Sequence, residues 1–305
     1  MILDPDRVVL AAAGIDRAHI RTPQYVSDGL SRELGFECVL KLETVNPSGS
    51  VAGRSVEWWL RQERPPHRIV CGSEGDFGLA MGRACRRRGI ELDIFAPVDT
   101  DPAKIEALRR GGATVWLEGA DLDDAVAEAR RYAQVVDARY VEDGREPAFV
   151  EGAATMAAEL EHLDQRPDAV FVPLDRGALA LGTALWCHSR MPSTRVVGVG
   201  PVGAMAMVRS VRERRLVTTT TVATTASALA IRLPIEELVV PLSDALDDTA
   251  TVTDEQLAEA VLALADHEGL RVSASGAAAL AAAVSAASSL RGRCVVVPVT
   301  SRSIG

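Results

Sequence analysis

Chemistry that needs a primary side-chain amine has two places to occur in this chain of 305 residues, because Lys41 and Lys104 are the only lysines among its 33 basic residues. The other chemistry-bearing groups sit in short loop-like strings: Glu74 and Asp76 within Ser73-Glu-Gly-Asp-Phe-Gly78, and Asp175 with Arg176 within Leu174-Asp-Arg-Gly177. A carboxylate can give or take a proton and a guanidinium can hold an anion, so Glu74, Asp76, Asp175 and Arg176 are the candidate acid, base and anion-holding groups. His19, His67, His162, His188 and His267 stand in unrelated contexts, with no Gly-x-Ser-x-Gly elbow, His-Glu-x-x-His pair or Walker loop. Hydrolase readings fall away. Cys38, Cys71, Cys85, Cys187 and Cys294 are scattered singly and read as small buried apolar residues, not as a disulfide framework or a zinc site. Asp121, Asp123 and Asp124 open a helical pattern, which the helix dipole and solvation explain better than a metal does.

These groups need elements to position them. Short β-branched runs at 38–42, 68–71, 92–96, 114–117, 169–173, 195–199 and 294–299 read as strands. Between them, 77–88, 102–110, 121–133, 149–162 and 254–267 carry apolar residues at helical spacing. The pattern is α/β. Continuously apolar strands imply a mostly parallel sheet covered on both faces, with loops at the carboxyl ends of the strands as the ligand-binding rim. Asp101 before Pro102, and Thr253 before Asp254-Glu-Gln, mark helix starts. Three strands alternate with three helices between Pro66 and Tyr140, so residues 66–147 are expected to form a small lobe inserted into a large lobe of 1–65 and 148–305. Six threonines in the eight residues from Thr218 to Thr225 form a strand or a polar loop. Of Trp58 and Trp59, one is expected in the core and the other at an interface, since adjacent helical positions face different ways.

The composition, 48% hydrophobic and 25% charged, suits a globular chain with one large core or two modest ones. A net charge of −9 with acids and bases interleaved argues against nucleic acid or an anionic membrane as the partner. The first residues are acidic where a secretory signal would be basic, and the apolar stretch from Gly276 to Leu290 is too short to span a bilayer, so a cytoplasmic location is expected.

Arg21-Thr-Pro, then Leu40-Lys-Leu-Glu-Thr-Val-Asn-Pro-Ser-Gly-Ser50 followed by Arg54, resemble the entry motif of the fold-type II pyridoxal-phosphate (PLP) enzymes, the group of threonine ammonia-lyase, serine racemase and cysteine synthase. The resemblance runs the length of the chain. Ser73–Gly78 is similar to the family's Ser-x-Gly-Asn-His-Gly loop, and Pro102–Ala113 to its helix and following turn. Val172–Leu179 is similar to its phosphate loop, and Gly198-Val-Gly-Pro, Gly269–Ala279 and Val295–Ser301 complete the order. The Arg-Thr-Pro opening and the Ser-Gly-Ala-Ala-Ala helix favour the threonine ammonia-lyase and serine racemase branch. The resemblance implies a tryptophan-synthase-β-like fold of two lobes, each with a mostly parallel sheet flanked by helices. It also implies a cofactor-facing pocket of Ser50, Ala52, Asp76, Asp175, Arg176, Gly177 and Thr300, with Ser73, Gly75 and Phe77 on the substrate side.

Several of these positions depart from the family pattern. Where the family has Ser-Phe-Lys-x-Arg, whose lysine forms the imine with the cofactor, this chain has Ser50-Val51-Ala52-Gly53-Arg54. Lys41 falls in a strand and Lys104 in a helix with a surface pattern, so neither is expected to substitute for that lysine. Asp175 and Arg176 replace glycines whose backbone N–H groups would surround a phosphate. Arg176 is expected to fill the emptied phosphate site or to pair with Asp175. Asp76 stands for the family's asparagine, Phe77 for its histidine, and Arg302 for a glycine in the final loop, where it is expected to narrow the pocket. Pro47, Gly49, Gly78, Gly112 and Gly276 are kept. The expectation is a cofactor-independent homologue, a pseudoenzyme or partner subunit with no cofactor and no metal. One alternative is a PLP-independent lyase or isomerase acting on a small acid. A second is a PLP-dependent amino-acid β-eliminase carrying a Lys→Ala change at Ala52. The resemblance further implies a homo-oligomer, a dimer or tetramer with the dimer expected, while a protein partner goes with the first reading and a small acid ligand with the PLP-independent one.

Overall fold

In the computed structural model, which describes residues 4–62 and 66–304, the strands fall into two sheets. In chain order they are β1 Gln24–Val26, β2 Glu37–Leu42, β3 Arg68–Gly72, β4 Glu91–Ala96, β5 Thr114–Leu117, β6 Arg139–Val141, β7 Ala169–Pro173, β8 Arg195–Pro201, β9 Asp248–Val252 and β10 Cys294–Val299. One sheet has the order β1-β2-β10-β7-β8-β9 and is parallel throughout except for the antiparallel edge pair β1–β2. The other, β5-β4-β3-β6, is wholly parallel and built from residues 68 to 141. The inserted segment thus has four strands rather than three, the extra one being the three-residue β6. The lobe boundary expected after residue 65 adjoins residues 63–65, which, like the start of the acidic opening at 1–3, lie outside the described residues.

The two sheets are joined through a stack of helices. Helix Ala52–Gln62 packs against Pro147–Glu159, which in turn packs on Ala178–Arg190. Two glycines let these backbones touch: a Cβ on Gly152 would lie 2.7 Å from the Ser55 Cα, and one on Gly182 2.7 Å from the Val150 carbonyl oxygen. Trp58 and Trp59 are both buried, which corrects the expectation that one of them faces outward. The reason is that their helix is enclosed on two sides. Trp58 packs with Ala11 and Ile15 of the N-terminal region and donates to Glu151, while Trp59 stacks on Phe149 at 5.7 Å and donates to Glu146.

Below this stack lies a buried ionic network. Arg54 donates twice to Glu43 (2.7 and 2.8 Å), to Glu159 (2.6 Å) and to the hydroxyls of Thr155 and Thr22 (3.1 Å each). Lys41 donates to the Thr22 carbonyl and to Glu159. Burial lowers the Lys41 pKa, while the neighbouring Glu159 and Glu43 pull it back up. Burial would raise Glu159, but Arg54 and Lys41 hold it below the usual carboxylate range. Lys41 is therefore a structural cation locked in β2.

The threonine-rich segment 218–225 is loop, and all five cysteines are buried and free. Among the described residues no helix is long and apolar enough to cross a membrane. Removing one partner of a buried pair leaves a bare charge in low dielectric. Arg54→Met is accordingly expected to cost about 3–5 kcal/mol, read as a lowered urea midpoint with an unchanged slope.

Candidate functional site

A cavity of about 660 Å³ opens where the carboxyl ends of strands from both sheets meet. Its wall includes five turns, Val51-Ala52, Ser73–Phe77 after β3, Asp143 after β6, Asp175-Arg176 after β7, and Thr300–Ser303 after β10, and is completed by residues between 225 and 229, between 254 and 262, and from 272 to 275. Each turn is held by the sheet behind it. The turn before Ala52 is tied by the Asn46 side chain, which donates to Glu43 (2.7 Å) and to the Ser50 carbonyl (3.1 Å), and by Val51 N–H donating to the Thr300 carbonyl (3.0 Å). Ala52 then begins its helix on the cavity wall.

The strand-end loop after β3 folds back on itself. The Ser73 hydroxyl accepts from the N–H groups of Gly75 (3.3 Å) and Gly78 (2.9 Å), so the amide of Gly75, which the resemblance puts on the substrate side, is already engaged. Phe77 is buried edge-on against Phe149. Asp76 accepts from the Ser301 hydroxyl (3.0 Å), and burial pushes its pKa up to about 6 against that hydrogen bond. Burial likewise raises Glu74, which lies 3.7 Å from the Lys104 ammonium.

Across the cavity, burial raises the pKa of Asp143, and the adjacent Asp175 charge raises it further. Burial raises Asp175 too, ahead of the opposing pull of Arg176, with Asp76 adding repulsion. Asp175 adopts φ 41°, a left-handed conformation uncommon for a side-chain-bearing residue. Arg176 makes no ion pair or hydrogen bond with the Asp175 carboxylate, which corrects the expectation that the two pair. The residue lines the cavity, is 6% exposed, and its guanidinium reaches Asp123 at 3.3 Å and Glu142 at 3.8 Å.

Most of the residues singled out from the sequence therefore converge: Ala52, Ser73, Glu74, Gly75, Asp76, Phe77, Asp175, Arg176 and Thr300 all line the cavity. Ser50 and Gly177 do not. Ser50 is fully buried behind the wall in a bridge to Ser301, and Gly177 backs onto Leu242. Arg302 reaches the cavity mouth but is exposed, and its stem lies against Gly49, so it does not fill the space.

Two further expectations are corrected, and one residue is new. Lys104, read as a surface residue, lines the cavity and donates to the Ser227 hydroxyl at 2.8 Å, because the first turn of its helix faces the six-stranded sheet's side of the cleft. Asp123, read as solvated, is buried and accepts from the N–H groups of Arg232 (2.8 Å) and Leu233 (3.0 Å) as well as from Arg176. Asp143 is not among the residues the sequence singles out. Its one signal is an acidic pair before a turn glycine, Glu142-Asp143-Gly144, at the end of a strand too short to read.

Two mostly parallel sheets facing one cleft at their strands' carboxyl ends define an α/β chain of the tryptophan-synthase-β-like class. The family model "Pyridoxal-phosphate dependent enzyme" matches residues 15–301, and the chain belongs to that family. It is 27% identical over 267 residues to L-threonine ammonia-lyase of Geobacter sulfurreducens, covering 86% of this chain and 66% of that protein. It is 28% identical over 278 residues to the biosynthetic L-threonine dehydratase of Salmonella typhimurium, covering 90% of this chain and 54% of that one. The mouse L-serine dehydratase/L-threonine deaminase is 27% identical over 278 residues, with 90% and 85% covered. The chain thus spans 66% and 54% of the two bacterial relatives' lengths. In fold it matches maize serine racemase with a TM-score of 0.91 at 23% identity, covering 100% of this chain and 95% of that one. The T.th. threonine deaminase gives 0.91 at 24%, covering 98% of both chains. The chain is a homologue of the PLP-dependent threonine and serine ammonia-lyases.

A carboxyl whose folded pKa is raised binds more protons folded than unfolded, so its contribution falls as pH rises. For Asp76 the loss begins at the ordinary carboxylate value near 4 and is complete above about 6. The same sign holds for Asp143 and Asp175. Asp175→Asn is expected to raise Tm by a few degrees, at roughly 2 °C per kcal/mol, when measured near pH 7.5. The gain should vanish near pH 4, where the wild-type carboxyl is already neutral; calorimetry at the two pH values checks it.

Proposed function

We propose that this chain has left the imine chemistry of its family and keeps the cleft as a cofactor-independent small-molecule site. The observation that carries the reading is the cavity's supply of amines and charges. Position 52 offers only a methyl group to the wall. Lys41 is consumed by the buried network, and Lys104, the one primary amine lining the cavity among the described residues, is held by Ser227 with Glu74 beside it.

The cofactor's phosphate is no better served. A dianion entering this wall meets Asp76, Asp143 and Asp175, three carboxylates whose pKa values are already raised by burial with mutual repulsion added, while Arg176 is committed to Asp123 and Glu142. These residues do not fit PLP. The openness of the cleft also favours a ligand-binding role over a purely structural remnant: Phe77 is turned into the core, Arg176 toward Asp123, and Arg302 toward solvent.

A second reading, acid–base chemistry without a cofactor, is favoured by one specific feature. Asp143 and Asp175, both half-buried, repel each other at the cavity wall, so the pair holds a proton at a pH where isolated carboxyls do not. Such a pair can supply both an acid and a base to one ligand.

The test is spectroscopic. Purified protein mixed with PLP is expected to show no visible imine band and, after borohydride reduction, no cofactor adduct on Lys41 or Lys104 by peptide mass mapping. A stable band or an adduct on either lysine overturns the reading. Ala52→Lys alone is expected to restore neither the band nor ammonia release from threonine or serine, because the carboxylates remain. Recovery of both in that variant would instead establish a PLP enzyme carrying a single lost lysine.

A further inference from the structure

The charges on the cavity wall are unevenly matched. Lys104 and Arg176 both have protein partners, and Arg302 is exposed at the mouth. Asp143 and Asp175 have no side-chain hydrogen bond or ion pair among the described residues, and the Arg176 charge draws both pKa values down without offsetting their burial. Both line the cavity, so their remaining acceptor capacity is directed at whatever occupies it.

A separate observation points the same way. Thr300 is 6% exposed, lines the cavity, and has a hydroxyl with no hydrogen-bond partner among the described residues, although its backbone N–H and C=O are both engaged. An unpartnered hydroxyl on an otherwise buried residue is a polar group left for a ligand or water to satisfy. The acceptors come from three different strand ends, β6, β7 and β10, so they are held by both sheets and not by one flexible loop.

The kind of cation is constrained too. Among the described residues no group of three His, Cys, Asp or Glu side chains is gathered closely enough to hold a metal ion. The rest of the wall includes Leu122, Leu179, Leu229 and Val272, an apolar lining suited to methylene groups. An ion with a hydration shell gains nothing from that lining. A charged nitrogen on a short aliphatic chain satisfies both parts.

We propose that this cleft binds a small aliphatic amine in its protonated form, with the ammonium on Asp143 and Asp175 and the Thr300 hydroxyl as a further acceptor. The inference rests on the cofactor-free reading above, and it replaces the small acid expected from the sequence with a ligand of opposite charge. An ammonium has three donors and suits a site of dispersed acceptors, whereas a carboxylate would face the same repulsion as a phosphate.

Calorimetric titration with 1,4-diaminobutane is the experiment, with 1,4-butanediol, succinate and inorganic phosphate as the neutral and anionic comparators. The diamine is expected to bind and the other three are not. Asp143→Asn and Asp175→Asn should each weaken the diamine roughly tenfold or more, the size of a charge-assisted hydrogen bond, and the double variant should abolish binding. Circular dichroism and Tm of each variant separate lost binding from lost folding. No heat with the diamine, tighter binding of succinate or phosphate, or full affinity in a folded double variant overturns the assignment. PLP addition in parallel keeps the two conclusions apart. A covalent imine defeats the cofactor-free reading, whereas an inert diamine beside inert PLP defeats only the cation.

Discussion

The buried network of Arg54, Glu43, Glu159 and Lys41 is the constraint on which the rest of the structure depends. It binds three elements at once, the strand β2, the helix Ala52–Gln62 and the helix Pro147–Glu159, and its charges are almost wholly removed from water. Such a network contributes less net stability than its short distances suggest, because desolvation opposes the Coulombic gain. Its value lies in register: a planar guanidinium that satisfies Glu43 and Glu159 together admits one placement of its helix. That placement puts Ala52 on the cavity wall, and the same network ties Lys41 to Glu159 and the Thr22 carbonyl.

The cavity is built on the opposite principle. Its carboxyls are destabilised by their surroundings, and among the described residues no side chain pairs with Asp143 or Asp175. A fold selected for stability alone would place apolar or amide groups there. The turn at Asp175 adds a left-handed backbone to the same locality. Left-handed backbone and carboxyls raised by burial are thus concentrated at the carboxyl ends of parallel strands, the rim where sheets of this kind take ligands.

Much of this is legible in the sequence, for physical reasons that can be named. Strands such as Cys294–Val299 are continuously apolar because both of their faces are covered. Helix starts are written locally, in the Asp101 side chain that accepts from Ala103 N–H and in the Thr253–Gln256 capping box. What escapes is set by tertiary contact. β6 is three residues long and exists because β3 pairs with it. Lys104 has the flanking pattern of a surface helix, and only the approach of Ser227 turns it into the cleft. Asp123 differs from its neighbours Asp121 and Asp124 not in sequence character but in meeting Arg176 and the backbone at 232–233. Adjacent tryptophans look incompatible with a shared interior until a second layer of helices covers the outer one.

The strand order has a consequence for biosynthesis. The last strand, β10, lies in the interior of the six-stranded sheet between β2 and β7, so a ribosome must deliver residues 294–299 before the sheet can close. The four-stranded sheet has all its partners once residue 141 has emerged. The four-stranded sheet can settle during translation while the six-stranded one waits with two unpaired edges, β2 and β7, exposed to other chains.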